Sequence, residues 1–244
     1  MSTEPPIDTS VSISADPSTI LAVRGRHIVG SNEAGEVLAP AFVAAHSAVS
    51  ANYQRALAMS AAERALKEQR HADPASQKRL RAGVERSLGE SRKAIGGAME
   101  SIGAARAKAV SGIESALQLE EHRNSIPHAL RASQLVSALR NMGPTKALEA
   151  LRIAIRDSRI EPVASALSID PLAMGLTPND MDNIKADAEF RFTPELVEER
   201  DALDQLRTLV ARAGDSVEAR FSGLVGRGDD GKLEAAIRAV EEVK

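Results

Sequence analysis

The sequence predicts an all-α fold, and three observations carry that prediction. Between residues 80 and 117, "LRAGVERSLGESRKAIGGAMESIGAARAKAVSGIESAL", every Leu, Ile, Val and Met keeps an eleven-residue register. Of 244 residues only four are Phe, one is Tyr and none is Trp. The core must therefore be aliphatic and rich in Ala, which suits closely packed helices better than a sandwich or barrel of aromatic and β-branched strands. The second half is punctuated by "NSIP", "GPT", "EP", "DP", "LTP" and "FTP". Several of these set Ser, Thr or Asp before Pro, the pair that opens helices.

Taken in order, residues 1–18 are polar and carry Pro5, Pro6 and Pro17, and an extended arm is expected. Residues 19–38, "TILAVRGRHIVGSNEAGEVL", hold short β-branched runs between glycines, the pattern of a small hairpin or strap. The arm and strap form a first division, 1–38. Pro40 opens a helical pattern through Phe42, Val49, Tyr53, Leu57 and Leu66 that ends near Arg70. "HADPAS" then reverses the chain, with Asp73 as N-cap and Pro74 at the first helical position. The eleven-residue helix follows and is expected to reach about Glu121, so residues 39–122 read as a long helical hairpin. Residues 123–244 read as a compact domain of short helices, at about 126–142, 145–160, 162–168, 178–191, 194–213 and 232–243, with 215–225 ambiguous.

Cut into elevens, the long helix places Leu80, Ser91, Ile102 and Ile113 in one column and Val84, Ile95, Arg106 and Leu117 in a second. Leu88, Met99 and Val110 form a third, and the small residues Ser87, Ala98 and Ala109 a fourth. Eleven residues in three turns is about 3.67 per turn, so the stripe runs nearly parallel to the helix axis. The same stretch holds six glycines, Gly83, Gly89, Gly96, Gly97, Gly103 and Gly112. Each costs about 1 kcal/mol relative to Ala in a helix interior, more than an isolated helix can carry. A partner surface is therefore expected: another helix of the chain, a second copy, or lipid. The expected oligomer seam is Leu80, Val84, Leu88, Ile95, Gly96, Gly97, Met99, Ile102, Arg106, Val110, Ile113 and Leu117. Arg106 is the one charge in a column of Val, Ile and Leu. Such a charge either fixes register and partner or packs its stem and sends its head to water.

Charge is unevenly spread. Residues 55–108 carry 12 Lys or Arg against 6 Asp or Glu, and residues 161–244 carry 10 against 18, although the whole chain is near balance at −3. The two regions are expected to attract each other, within a protomer or between copies.

Residues that carry chemistry are sparse. With no cysteine, disulfides, thiolate zinc sites and cysteine nucleophiles are excluded. His27, His46, His71, His122 and His128 form no HxxxH or HExxH pair. Asp180, Asp182, Asp187 and Glu189 in "NDMDNIKADAE" lack the glycine and terminal Glu of a calcium loop and read as a solvated face near a helix start. Arg227-Gly228-Asp229 sits in the glycine-rich turn "GRGDDG", and "VRGRH" at 23–27 is a solvent-facing turn that also has the composition for phosphate contact. Phosphate-loop, GxSxG and dinucleotide motifs are missing. No catalytic, cofactor or metal residue is expected. The basic stretch "KEQRHADPASQKRLRAGVERS" has the charge to meet nucleic acid but no interleaved aromatics, and a solubilising tip is the plainer reading. The first residues, "MSTEPPIDTSVSISADPS", lack the basic and apolar regions of a secretory signal, and no run of 18 apolar residues marks a spanning helix.

A Cys-free, Trp-free chain with a Gly/Ala-rich long helix, an arm and a punctuated helical domain resembles the helical virion proteins of tailed bacteriophages, of connector or internal ejection type. The likeness is one of composition and style along the whole chain. It implies a non-enzymatic assembly protein that forms homo-oligomers and meets other proteins of a large complex, in a virion or the cytoplasm. Two other classes share the pattern: a peripheral protein laid on a membrane by an amphipathic helix, and a helical adaptor or chaperone.

Overall fold

The structure is a computed structural model and describes residues 40–68, 74–119 and 124–225. The expected arm and strap, the Asp73 cap, the helix at 232–243 and the Arg227-Gly228-Asp229 turn lie outside these residues. Among the described residues the fold is all-α, with seven helices: α1 (Pro40–Glu68), α2 (Pro74–Ala116), α3 (Ile126–Met142), α4 (Pro144–Arg156), α5 (Ile160–Leu167), α6 (Pro178–Phe192) and α7 (Pro194–Val225). A 3₁₀ turn, Pro171–Met174, stands between α5 and α6.

Pro opens five of the seven helices at the first position, where the missing N–H is one that no helix would bond. α6 is capped most fully. The Thr177 hydroxyl accepts from the Asp180 backbone N–H at 3.2 Å, while the Asp180 carboxylate accepts from the Thr177 N–H at 3.0 Å. α3 and α4 are joined by Gly143 alone, at φ +79°. That left-handed-side φ is open to glycine and strained for other residues. α2 stops at Ala116, short of the expected Glu121, where Gln118 turns to φ +55°. α7 runs unbroken through Gly214, joining the expected 194–213 helix to the ambiguous 215–225.

The chain forms two compact units, one drawing on residues up to Gly103 and from Gln205 onward, the other on Ala104–Asp204. This division differs from the one expected at residue 123, because α2 and α7 each contribute to both units.

In the first unit, Ala56 and Met59 of α1, Val84 and Leu88 of α2, and Val217 and Phe221 of α7 share one core. Arg92 pairs with Glu218, and Ile95 packs on Gly214, so α2 and α7 run antiparallel. Asn52 bonds Ala213, and Glu63 pairs with Arg220, so α1 and α7 run parallel. The two long helices are thus completed by a third, distant in sequence. The buried face of α1 is Ala41, Ala45, Ala48, Val49, Asn52, Ala56, Met59 and Ser60, while the larger Phe42, Tyr53 and Leu57 are only half-buried. Small side chains let helix axes approach closely, and the large ones pack at the edges of the contact.

In the second unit α3 to α6 pack around Leu139, Ala147, Leu151, Val163, Met174 and Ile184, with Ile113 and Leu117 supplied by the C-terminal end of α2. Glu189 is buried rather than solvated: Arg200 donates to it at 2.5 Å, and Lys185 stands 3.8 Å away. Only Asp180 of the other acidic residues in "NDMDNIKADAE" lies in the first turn of α6, and Asp187 lies in the body of the helix. Asp180 is the capping partner of Thr177, and Asp187 lies 3.9 Å from Arg152.

Candidate assembly interface

The eleven-residue stripe of α2 faces inward. All seven fully buried residues of the helix, Val84, Leu88, Ser91, Ala98, Ile102, Ala109 and Ile113, lie in the four columns, and Leu117 just beyond the helix end is buried as well. Leu80, Ile95, Met99, Arg106 and Val110 are half-buried, and Gly96 and Gly97 are exposed. This corrects the expected seam. Val84, Leu88, Ile102, Ile113 and Leu117 are covered within the protomer and cannot meet a second copy while it stays folded.

The glycines divide sharply. A Cβ at Gly112 would stand 3.2 Å from Leu196 Cδ1, so this glycine admits α7 to close approach within the second unit. Gly214 plays the reciprocal part in the first unit, where a Cβ would stand 3.2 Å from Ile95 Cγ2. Gly83, Gly89, Gly96, Gly97 and Gly103 have no described atom within 4 Å of such a Cβ. Five of the six glycines of α2 therefore cost helix stability with no compensating contact among the described residues.

Arg106 is held by α7: its Nε donates to Asp204 Oδ1 at 2.6 Å, with both side chains about two-fifths exposed. The odd charge in the stripe thus fixes a helix partner within its own unit. The expected attraction of basic and acidic regions is realised inside the protomer by this pair and by Arg92–Glu218, at 2.6 Å in the first unit. The Arg92 guanidinium, by hydrogen bonding first and charge second, holds the Glu218 carboxyl below its ordinary range.

Each unit carries a concavity among its described residues. In the first unit a groove of about 300 Å³ runs between α2 and α7, floored by Leu88, Ser91, Ile95, Met99 and Val217 and rimmed by Arg92, Gly96, Asp215 and Glu218. Ser91 Oγ is buried there without a hydrogen-bond partner. In the second unit a polar cleft of about 450 Å³ gathers Arg106, Lys185 and Arg200 with Glu114, Glu189, Asp201 and Asp204. Arg106 faces Asp204, and Arg200 and Lys185 both face Glu189, so the cations are neutralised by their own neighbours. Among the described residues no group of three or more His, Asp or Glu is placed to hold a metal ion.

The class that fold and surface define is an all-helical protein whose long helix buries an aliphatic stripe and exposes a glycine-rich face. Set against known protein families, curated proteins and solved structures, the chain gives no match.

Proposed function

We propose that this chain is a non-enzymatic assembly protein that associates with copies of itself through the exposed face of α2. The observation that carries the reading is the set of open glycines. Gly89, Gly96 and Gly97 lie on an exposed helix surface with open space at their Cβ positions, and packing among the described residues gives no return for their cost. A second helix seated on that face would, because the missing side chains let its axis approach to about 8 Å. A place in a large particle, such as a tailed-phage virion, fits this reading.

A lipid surface fits less well. An amphipathic helix binds membranes through its apolar residues, and of those of α2, Val84, Leu88, Ile102 and Ile113 are buried inside the protomer and Leu80, Ile95, Met99 and Val110 half-buried. No described helix is long and apolar enough to cross a membrane.

Replacing Gly96 and Gly97 with Leu separates the two readings by sign. On a protein partner the added bulk overpacks a close contact, so sedimentation should show lost or altered association with unchanged helical circular dichroism. On lipid the same change adds apolar area and helix propensity, so tighter binding to anionic vesicles with unchanged association would refute the proposal.

A further inference from the structure

The charges on the exposed face of α2 specify how two copies would meet. On a helix with 100° between successive residues, Gly89, Lys93, Gly96, Gly97, Glu100 and Ala104 fall within about 100° of one another, and all six are exposed. Of the neighbouring charges, Glu90 is engaged with Arg55 and Arg92 with Glu218, while Arg86, exposed on the same face, would stand opposite the small Ala107 of an antiparallel second copy. Lys93 and Glu100 have no ion-pair partner among the described residues. They also cannot pair with each other, since seven residues along one helix put them about 10 Å apart.

A two-fold axis passing between Gly96 and Gly97 changes this. In an antiparallel pair of α2 helices it places Lys93 opposite the second copy's Glu100, and Glu100 opposite the second copy's Lys93. The same axis sets Gly96 against Gly97 and Gly89 against Ala104, so each uncharged rung is small and the helices can close. We infer that α2 pairs antiparallel with α2 of a second copy about this axis, an isologous contact closed by two symmetry-related Lys93–Glu100 ion pairs. In a parallel, in-register pair Lys93 would face Lys93 and Glu100 would face Glu100, and like charges would oppose association. The inference rests on the self-association proposed above and adds its direction, register and symmetry.

Charge exchange tests it. Lys93→Glu alone, or Glu100→Lys alone, creates two like-charge contacts per dimer and should raise the dissociation constant roughly tenfold or more. The double variant K93E/E100K should restore association, as should an equimolar mixture of the two single variants. Because the chain has no cysteine, single cysteines report register without background. An equimolar mixture of Gly89→Cys and Ala104→Cys chains should cross-link on mild oxidation, whereas Gly89→Cys alone should not, because its two copies would sit about 22 Å apart along the axis. Association that ignores the charge exchanges, or Gly89→Cys chains that cross-link with themselves, would overturn the register while leaving self-association standing. A native chain that stays monomeric at all concentrations overturns both.

Discussion

Alanine substitution at three glycines should give three different stabilities, because the space at each differs. At Gly83 an added Cβ meets nothing within 4 Å, so Gly83→Ala should deliver the full helix-propensity gain of about 1 kcal/mol. For a chain of this size that raises the melting temperature by roughly 2–4 °C. At Gly112 the new Cβ stands 3.2 Å from Leu196 Cδ1 and 3.6 Å from Cδ2, the mobile end of a leucine. A small rotation relieves the contact, and Gly112→Ala should keep about half of the gain. At Gly214 the Cβ would meet Ile95 at three atoms, Cγ2 at 3.2 Å, Cγ1 at 3.5 Å and Cβ at 3.8 Å. A β-branched side chain is stiff at χ1 and cannot swing aside. Overpacking of about 1–3 kcal/mol then cancels or exceeds the propensity gain. Urea unfolding midpoints should rank Gly83→Ala above Gly112→Ala, and Gly214→Ala at or below the native chain. If Gly214→Ala stabilises as much as Gly83→Ala, the close approach of α2 and α7 in the first unit is wrong.

Other outcomes follow from the second unit and from the charge pairs. Arg200→Ala leaves Glu189 buried with only Lys185 beside it, and should cost about 2–3 kcal/mol in chemical denaturation; a loss below about 0.5 kcal/mol would show that Glu189 is solvated after all. Thr177→Ala removes the capping box of α6 and should cost about 1 kcal/mol, read as a lower melting temperature with unchanged native circular dichroism. The carboxyls of Glu218 and Asp180 are held below their ordinary values, Glu218 by the hydrogen bond and charge of Arg92 and Asp180 by hydrogen bonds from Thr177. Because protonation is harder in the folded state, the stabilisation is present at neutral pH and lost as pH falls through the depressed values. Carboxyl titration by NMR should show both groups protonating below the ordinary carboxylate range, and Arg92→Ala should return Glu218 towards that range.

Much of this fold was legible because local rules determined it. α3 begins and ends where "SIP" and "GP" place it, and the α6 cap is visible in Thr177-Pro178 with Asp180 three residues on. The inward stripe of α2 was readable as a pattern, but which surface covers it was not. Periodicity shows that a face is buried, and only tertiary contact shows that α1 and α7 bury it in the first unit. The expected helix end at 213 falls just before Gly214, yet α7 runs on through it, and this glycine is the point at which Ile95 enters. The helical pattern of α1 was legible from Phe42, Val49, Tyr53 and Leu57, but its contact face was not, because alanines line the contact and Phe42, Tyr53 and Leu57 stay half-buried. Arg106 stood out as the odd member of its column, but its partner Asp204 lies 98 residues away, and no local signal links the two.

The central claim, that the exposed face of α2 joins copies of this chain, is tested most directly by the mass of the native protein in solution. Light scattering across a concentration series should show mass rising from 25.9 kDa towards at least twice that value, with the rise abolished in the Gly96→Leu, Gly97→Leu double variant. A constant 25.9 kDa at every concentration, or an equal rise in the double variant, would contradict it.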